Sequence, residues 1–255
     1  MEPWSALTDE LDAWSVAGKT ATMWWRDDDA TCPTPALARL LDTAATHGVP
    51  LCLAAIPNLV REELLTLLER DVNVAVAVHG VSHKNFAAAG EKKCELAEAR
   101  SPHAMADELV EGREKLVAVA GRRTIPVLVP PWNRVSRALV PLLPGLGFQG
   151  LSTYGDRRAG APTPGLRQVN CHIDPIDWRG SRDFIGVTGV LEQLIGHLAR
   201  RRLGNADPAE PTGLLTHHAV WSDAAFAFLQ ELLVRTGRHP AARWLPPQVA
   251  FGLEP

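Results

Sequence analysis

One recurrence constrains this chain more than any other feature. Short apolar runs alternate with stretches of helical spacing, and most of the runs end on a polar cluster. Residues 21–25 run into Arg26-Asp27-Asp28-Asp29. Residues 72–78, rich in Val, meet His79 directly, which opens His79-Gly80-Val81-Ser82-His83. Residues 125–129 stop at Pro130-Pro131-Trp132-Asn133. Residues 166–173 lead into Asp174-Pro175-Ile176-Asp177-Trp178, and residues 213–216 lead to His217 and His218. Two further runs, 51–56 and 148–151, carry no such cluster. Between the runs, residues 35–46, 62–69, 104–119, 136–143, 187–202 and 223–236 have helical patterns, as with Leu37, Leu40, Leu41 and Ala44.

Strands that alternate with helices form parallel βαβ units, and strands that lack polar alternation are covered on both faces. About seven units fit an α/β fold of one domain, a distorted, seven-stranded (β/α) barrel spanning residues 1–255. Residues 1–19, with a helical stretch at 5–15, read as an N-terminal extension. The competing doubly wound sheet lacks its usual GxGxxG fingerprint.

Composition narrows the function classes. With 46% hydrophobic residues the chain can bury a core, which excludes general disorder. A net charge of -3 gives no basic surplus for nucleic acid. No apolar run approaches the ~20 residues that cross a bilayer, so no membrane partner is expected. The start of the chain lacks a basic segment followed by an apolar one, so the expected address is cytoplasmic. Cys32, Cys52, Cys94 and Cys171 form no CxxC pair and read as reduced thiols.

In a parallel barrel the C-terminal strand ends open on one face, where active sites sit. Five polar clusters therefore meet at one rim. Adjacent carboxylates at 27–29 repel one another, and a divalent cation or Arg26 would relieve them. In HGVSH the two imidazoles stand at i and i+4, a spacing that can grip one metal ion, and an aspartate from a neighbouring strand end would complete a catalytic site with open positions. Of His217 and His218, one points into the site and one away, and the inward one suits a general acid. Trp132 and Trp178 suit pocket walls on which sugar rings stack. Residues 84–103 form an irregular loop in which Lys84, Asn85 and Glu95 are more simply solvated than functional.

These clusters, in this order, resemble the five motifs of the polysaccharide deacetylases (the NodB-homology fold, carbohydrate esterase family four). The resemblance spans about residues 20 to 220, and the second motif and the order of all five are its specific part. It implies a hydrolase of non-peptide carbon–nitrogen bonds, or of the corresponding esters, that removes an acetyl group from a carbohydrate. One divalent metal ion is implied, zinc by default, with cobalt or nickel as alternatives. Asp29, His79 and His83 would hold it, Asp28 would be the general base and His217 the general acid. Pro131, Trp132, Asp177, Trp178 and Leu215 would contact substrate, with Asp177 also orienting the acid. A register one residue earlier would make Asp27 the base and Asp28 the ligand. The chain departs from the family in two places. Arg26 stands where the family has Thr, and Val129 stands where it has the arginine that tunes the base, a role left for Arg26 or Arg134. Other readings are a cytosolic hydrolase of another small amide and a non-catalytic carbohydrate- or metabolite-binding relative.

Overall fold

The structure, a computed structural model, describes residues 3–68 and 73–253. Eight strands, β1 (Ala21–Ala30), β2 (Leu51–Ala55), β3 (Val74–His79), β4 (Thr124–Val129), β5 (Gly150–Leu151), β6 (Arg167–Gln168), β7 (Thr212–Thr216) and β8 (Ala242–Trp244), form one sheet whose pairs are all parallel. Its path runs β6-β5-β4-β3-β2-β1-β7, with β8 beside the start of β1. Residues just after β6 bond to both sides. Val169 and Cys171 N–H donate to Leu151 and Thr153 carbonyls, and His172 and Ile173 N–H donate to Gly213 O. The seven-strand path thereby curls round on itself as a distorted barrel.

Two apolar layers follow from the alternation along the strands. Trp24, Cys52, Ala54, Ala75, Ala77, Val127, Val129 and Leu215 point inward. The small side chains on β2 and β3 leave room for the indole of Trp24 and for the guanidinium of Arg26. Trp25, Leu53, Val76, Val78, Leu128 and Leu214 point outward. They meet the buried faces of α2 (Pro35–His47), α3 (Glu63–Leu68), α4 (Pro102–Ala120), α5 (Gly186–Leu203) and α6 (Asp223–Arg238). The first of these is capped by the Thr34 hydroxyl and stopped by Gly48 in the left-handed region. Helix α1 (Pro3–Val16) adds Leu7, Leu11 and Trp14 to the outer layer, and its Glu10 pairs with Arg202 of α5.

Most expected elements coincide with observed ones. Glu69 and Val72, expected to end a helix and begin a strand, lie outside the described residues. The helix expected at 136–143 is instead a 3-10 turn at Val140–Leu146, where Pro141 and Pro144 withhold donors. Strand β8 and helix α7 (Pro247–Phe251) had no clear signal, being three and five residues long. Cys52 and Cys171 are buried free thiols, and Cys32 and Cys94 are half-buried. No helix among the described residues is long and apolar enough to cross a membrane.

Candidate active site

The site begins with a break in β1. Asp27 faces Leu53 of β2 and Ala30 faces Ala55, so one extra residue is accommodated between them. This bulge, with Asp29 at φ 72°, ends the strict alternation. Asp28 and Asp29, though adjacent, both line one cleft of about 890 Å³. Asp27 points to the other side of the sheet. It accepts from the Thr216 hydroxyl at 2.6 Å, from the His218 N–H and from the His218 ring. Burial opposes charge on His218, but Asp27 raises its pKa above the ordinary histidine value. The earlier register, with Asp27 as base, is therefore incompatible with the geometry. Likewise His217 lines the cleft and His218 does not.

Asp29, His79 and His83 converge. Asp29 Oδ1 lies 3.2 Å from Nε2 of His79 and 3.3 Å from Nε2 of His83. Nδ1 of His79 donates to the Val129 carbonyl at 2.9 Å, which leaves Nε2 to face the carboxylate. Such a backbone bond fixes the tautomer that binds metal. For metal–ligand distances of about 2.0–2.1 Å in a tetrahedron, the ligand atoms stand about 3.3 Å apart, so these donors fit one divalent ion. Burial works against charge on Asp29, yet the bond to His79 and the positive charge of His79, His83 and His217 hold its carboxyl well below the usual range. Burial lowers His83, whereas His79, although buried, is raised by Asp28 and Asp29.

The turn that carries His83 is tightly built. Gly80 has φ 56°, and a Cβ there would lie 2.1 Å from Glu95 Oε2 and 2.5 Å from the Pro131 ring. Glu95 is buried and accepts from Val81 N–H at 3.1 Å and Ser82 N–H at 2.7 Å. It is thus a structural member of the site rather than a solvated loop residue. His83 itself has φ 55° and packs on Trp132, itself at φ 53°, with ring centroids 4.4 Å apart. Left-handed backbone at several bulky residues is stored where a site demands it.

Beside this group, Asp28 is 3% exposed and Arg26 is fully buried. Arg26 Nε is 2.8 Å from Asp28 Oδ1, and Nη2 donates to Oδ2 at 3.0 Å. The same guanidinium donates to Ser152 Oγ and Asn133 Oδ1, each at 2.7 Å. Burial disfavours its charge, but Asp28 outweighs that and raises its pKa. Arg134 instead reaches the Lys93 carbonyl, so the arginine partner of Asp28 is Arg26.

Across the cleft, the Trp178 ring meets His217 edge-on at 4.7 Å, and its Nε1 donates to Asp174 Oδ2 at 2.8 Å. Nδ1 of His217 is buried without a hydrogen-bond partner. Burial raises the Asp174 pKa, and the charge of His217 partly counters it. Of Asp174 and Asp177, the one linked to His217 is Asp174, through the Trp178 ring that touches both. Asp177, expected to orient the acid, accepts from Arg179, Gly180 and Ser181 N–H and closes a turn. Two other expected substrate contacts lie away from the cleft wall. Pro131 is buried against Gly80, and Leu215 is buried inside the barrel. Trp132, Asp177 and Trp178 do line the cleft, as does Tyr154, which lacked any motif around it.

A second group, Asp156, His172 and His197, also brings metal-ligating atoms together. Its chemistry is poorer. Nδ1 of His172 accepts from Gly213 N–H, so the neutral ring keeps its proton on Nε2, 3.5 Å from Glu210. Asp156 is held by both Nη atoms of Arg200. Of these two groups, the one in the cleft has the donor set less engaged by other partners.

No family model matches the sequence, and no curated protein matches it. Solved structures do. A candidate polysaccharide deacetylase from Mycobacterium smegmatis is 18% identical, with TM-score 0.71 and 93% of each chain covered. The Bc1960 peptidoglycan N-acetylglucosamine deacetylase is 16% identical, with TM-score 0.57 over 92% of this chain and 90% of that one. A family 4 acetyl xylan esterase from Clostridium thermocellum, solved with a cobalt ion, is 15% identical, with TM-score 0.54 over 91% of this chain and 93% of that one. The chain has the distorted-barrel fold of the polysaccharide deacetylases and family-four carbohydrate esterases.

Proposed function

We propose that this protein is a metal-dependent hydrolase that removes an N- or O-acetyl group from a carbohydrate. The observation that carries the reading is the convergence of Asp29, His79 and His83 beside the ion-paired Asp28, at the C-terminal rim of this barrel. The structural neighbours named for peptidoglycan N-acetylglucosamine and for acetyl xylan have acetyl removal from a sugar in common. Asp29, His79 and His83 are the ligands in this reading, with zinc the first choice and cobalt or nickel the alternatives. A divalent cation there supplies Lewis acidity and can bring the pKa of its water to about 7.

The remaining chemistry belongs to side chains. Asp28 takes the proton of the attacking water as general base, and Arg26 fixes the direction of its carboxylate. Arg26 thus stands in for the arginine that the family's third motif would supply at Val129. His217, opposite, donates a proton to the leaving nitrogen or oxygen, which is otherwise a poor leaving group. Asp174 accepts from the Trp178 indole that packs against the His217 ring. Trp132 and Trp178 offer flat apolar faces to a sugar ring and exclude water from the reacting carbonyl.

The test is acetate release from N- and O-acetylated sugars by metal-loaded protein. His217→Ala is expected to keep its metal and lose about 10²- to 10⁴-fold in kcat. Full activity in that variant would move the acid elsewhere. Metal-loaded wild type that releases acetate from none of these sugars would favour a binding protein.

A further inference from the structure

The cleft carries cations that no carboxylate claims. Lys93 and Arg134 line one part of it, and Arg179 and Arg182 line another. Among the described residues none of the four is ion-paired, whereas Arg39, Arg157 and Arg200 are paired with Asp223, Asp207 and Asp156. The acids of the cleft are already committed. Asp28 belongs to Arg26, and Asp29 to the histidine pair. Asp174 accepts from Trp178 and from Ile176 N–H, and Asp177 accepts three backbone N–H groups. The chain as a whole is acidic, at -3, so these cations are not overflow from a basic protein.

Both cationic arms are built. Arg134 Nη1 donates to the Lys93 carbonyl at 2.7 Å, and the Lys93 ammonium stands 5.9 Å over the Trp132 ring. On the other arm Arg182 N–H donates to the Asp177 carbonyl at 2.8 Å, and Arg182 has φ 57°. A Cβ on Gly180 would lie 2.3 Å from Asp177 Oδ2, so the turn between the two arginines has little freedom to rearrange. Arginine forks match carboxylate and phosphate oxygens, and a cleft lined by unpaired cations concentrates anions.

We infer that the cleft selects an acetylated sugar bearing an anionic group, a carboxylate or a phosphate, held by Lys93, Arg134, Arg179 and Arg182. This rests on the hydrolase reading for the acetyl group but not for the charge. The test is calorimetric binding at low salt to metal-loaded His217→Ala, which suppresses turnover. The probes are N-acetylglucosamine, N-acetylglucosamine 6-phosphate and N-acetylmuramic acid, with inorganic phosphate as control.

At least one anionic sugar is expected to bind about tenfold more tightly than the neutral one, the sum of two or more exposed charge contacts. That advantage should vanish near 0.5 M salt, where screening is short-ranged, and in Arg179→Gln/Arg182→Gln. The tighter of the two anionic probes identifies the group as phosphate or carboxylate. The inference is overturned if the neutral sugar binds as well, if the glutamine pair keeps the preference, or if inorganic phosphate binds as tightly as the sugar phosphate. Acetate release by wild type separates the two ideas. Release without charge preference overturns the selectivity alone, and preference without release supports the anionic ligand while counting against the hydrolase.

Discussion

Replacing Arg26 by Met tests the most unusual part of the site. The guanidinium is fully buried, its partner Asp28 is 3% exposed, and two of its nitrogens meet the carboxylate at 2.8 and 3.0 Å. Met fills similar volume but leaves Asp28 buried without a counter-charge. Breaking a buried pair from one side costs about 3–5 kcal/mol. For a chain of this size each kcal/mol lowers Tm by roughly 2–4 °C, so a fall of about 6–20 °C is expected. Removing both charges, in Arg26→Met/Asp28→Asn, leaves no orphaned ion and should recover most of the loss. The assay is urea unfolding of chelator-treated protein, since bound metal would add its own linked stability. A cost below about 1 kcal/mol for Arg26→Met, or a double variant that loses the sum of the singles, would refute the argument that Arg26 exists to hold Asp28.

Other expectations follow from neighbouring residues. Glu95→Gln removes the carboxylate that collects Val81 and Ser82 N–H, so the turn that positions His83 loses a charged acceptor and metal affinity by calorimetry should fall by about tenfold or more. Unchanged affinity would make Glu95 a bystander. Gly80→Ala adds a Cβ against Glu95 and Pro131 in left-handed backbone, so a loss of about 2–4 kcal/mol is expected in unfolding. Stability within error of wild type would mean that the turn is loose. His197 is pushed by burial, and by the charges of His172, Arg201 and Arg200, down to about 2. Its folded pKa lies below its unfolded value, so its contribution is present above about pH 6.5 and is lost as pH falls below that. The slope is up to about 1.4 kcal/mol per pH unit. Unfolding of wild type should steepen between pH 6.5 and 5 relative to His197→Gln, and parallel curves would contradict this.

Much of the fold was legible because the inner strands are apolar without interruption. Residues 51–56 and 125–129 read as covered on both faces, and the helical spacings of α2, α5 and α6 stood out beside them. Elements too short for a period, such as β8 and α7, gave no signal. The prolines at 141 and 144 were visible, but their effect was misjudged in favour of an α-helix.

At the site, position was the readable quantity. Every motif closed an apolar run, so Asp29, His79, His83 and His217 could be gathered at one rim from sequence. What could not be read was orientation. Strict alternation would have put Asp28 and Asp29 on opposite faces, and only the bulge turns both into the cleft. The choice of Arg26 over Arg134, and of Asp174 over Asp177, depends on the directions of side chains in turns. Glu95 comes from an irregular segment with no period at all, and its burial follows from how that loop folds back over Gly80.

The measurement that bears most directly on the central claim is metal content by elemental mass spectrometry, for wild type beside Asp29→Ala/His79→Ala. About one equivalent of zinc, cobalt or nickel in wild type and none in the folded variant is the predicted result. A wild type that carries no metal and takes up none when zinc is added would contradict the metal centre, and with it the hydrolytic mechanism built on Asp28 and His217.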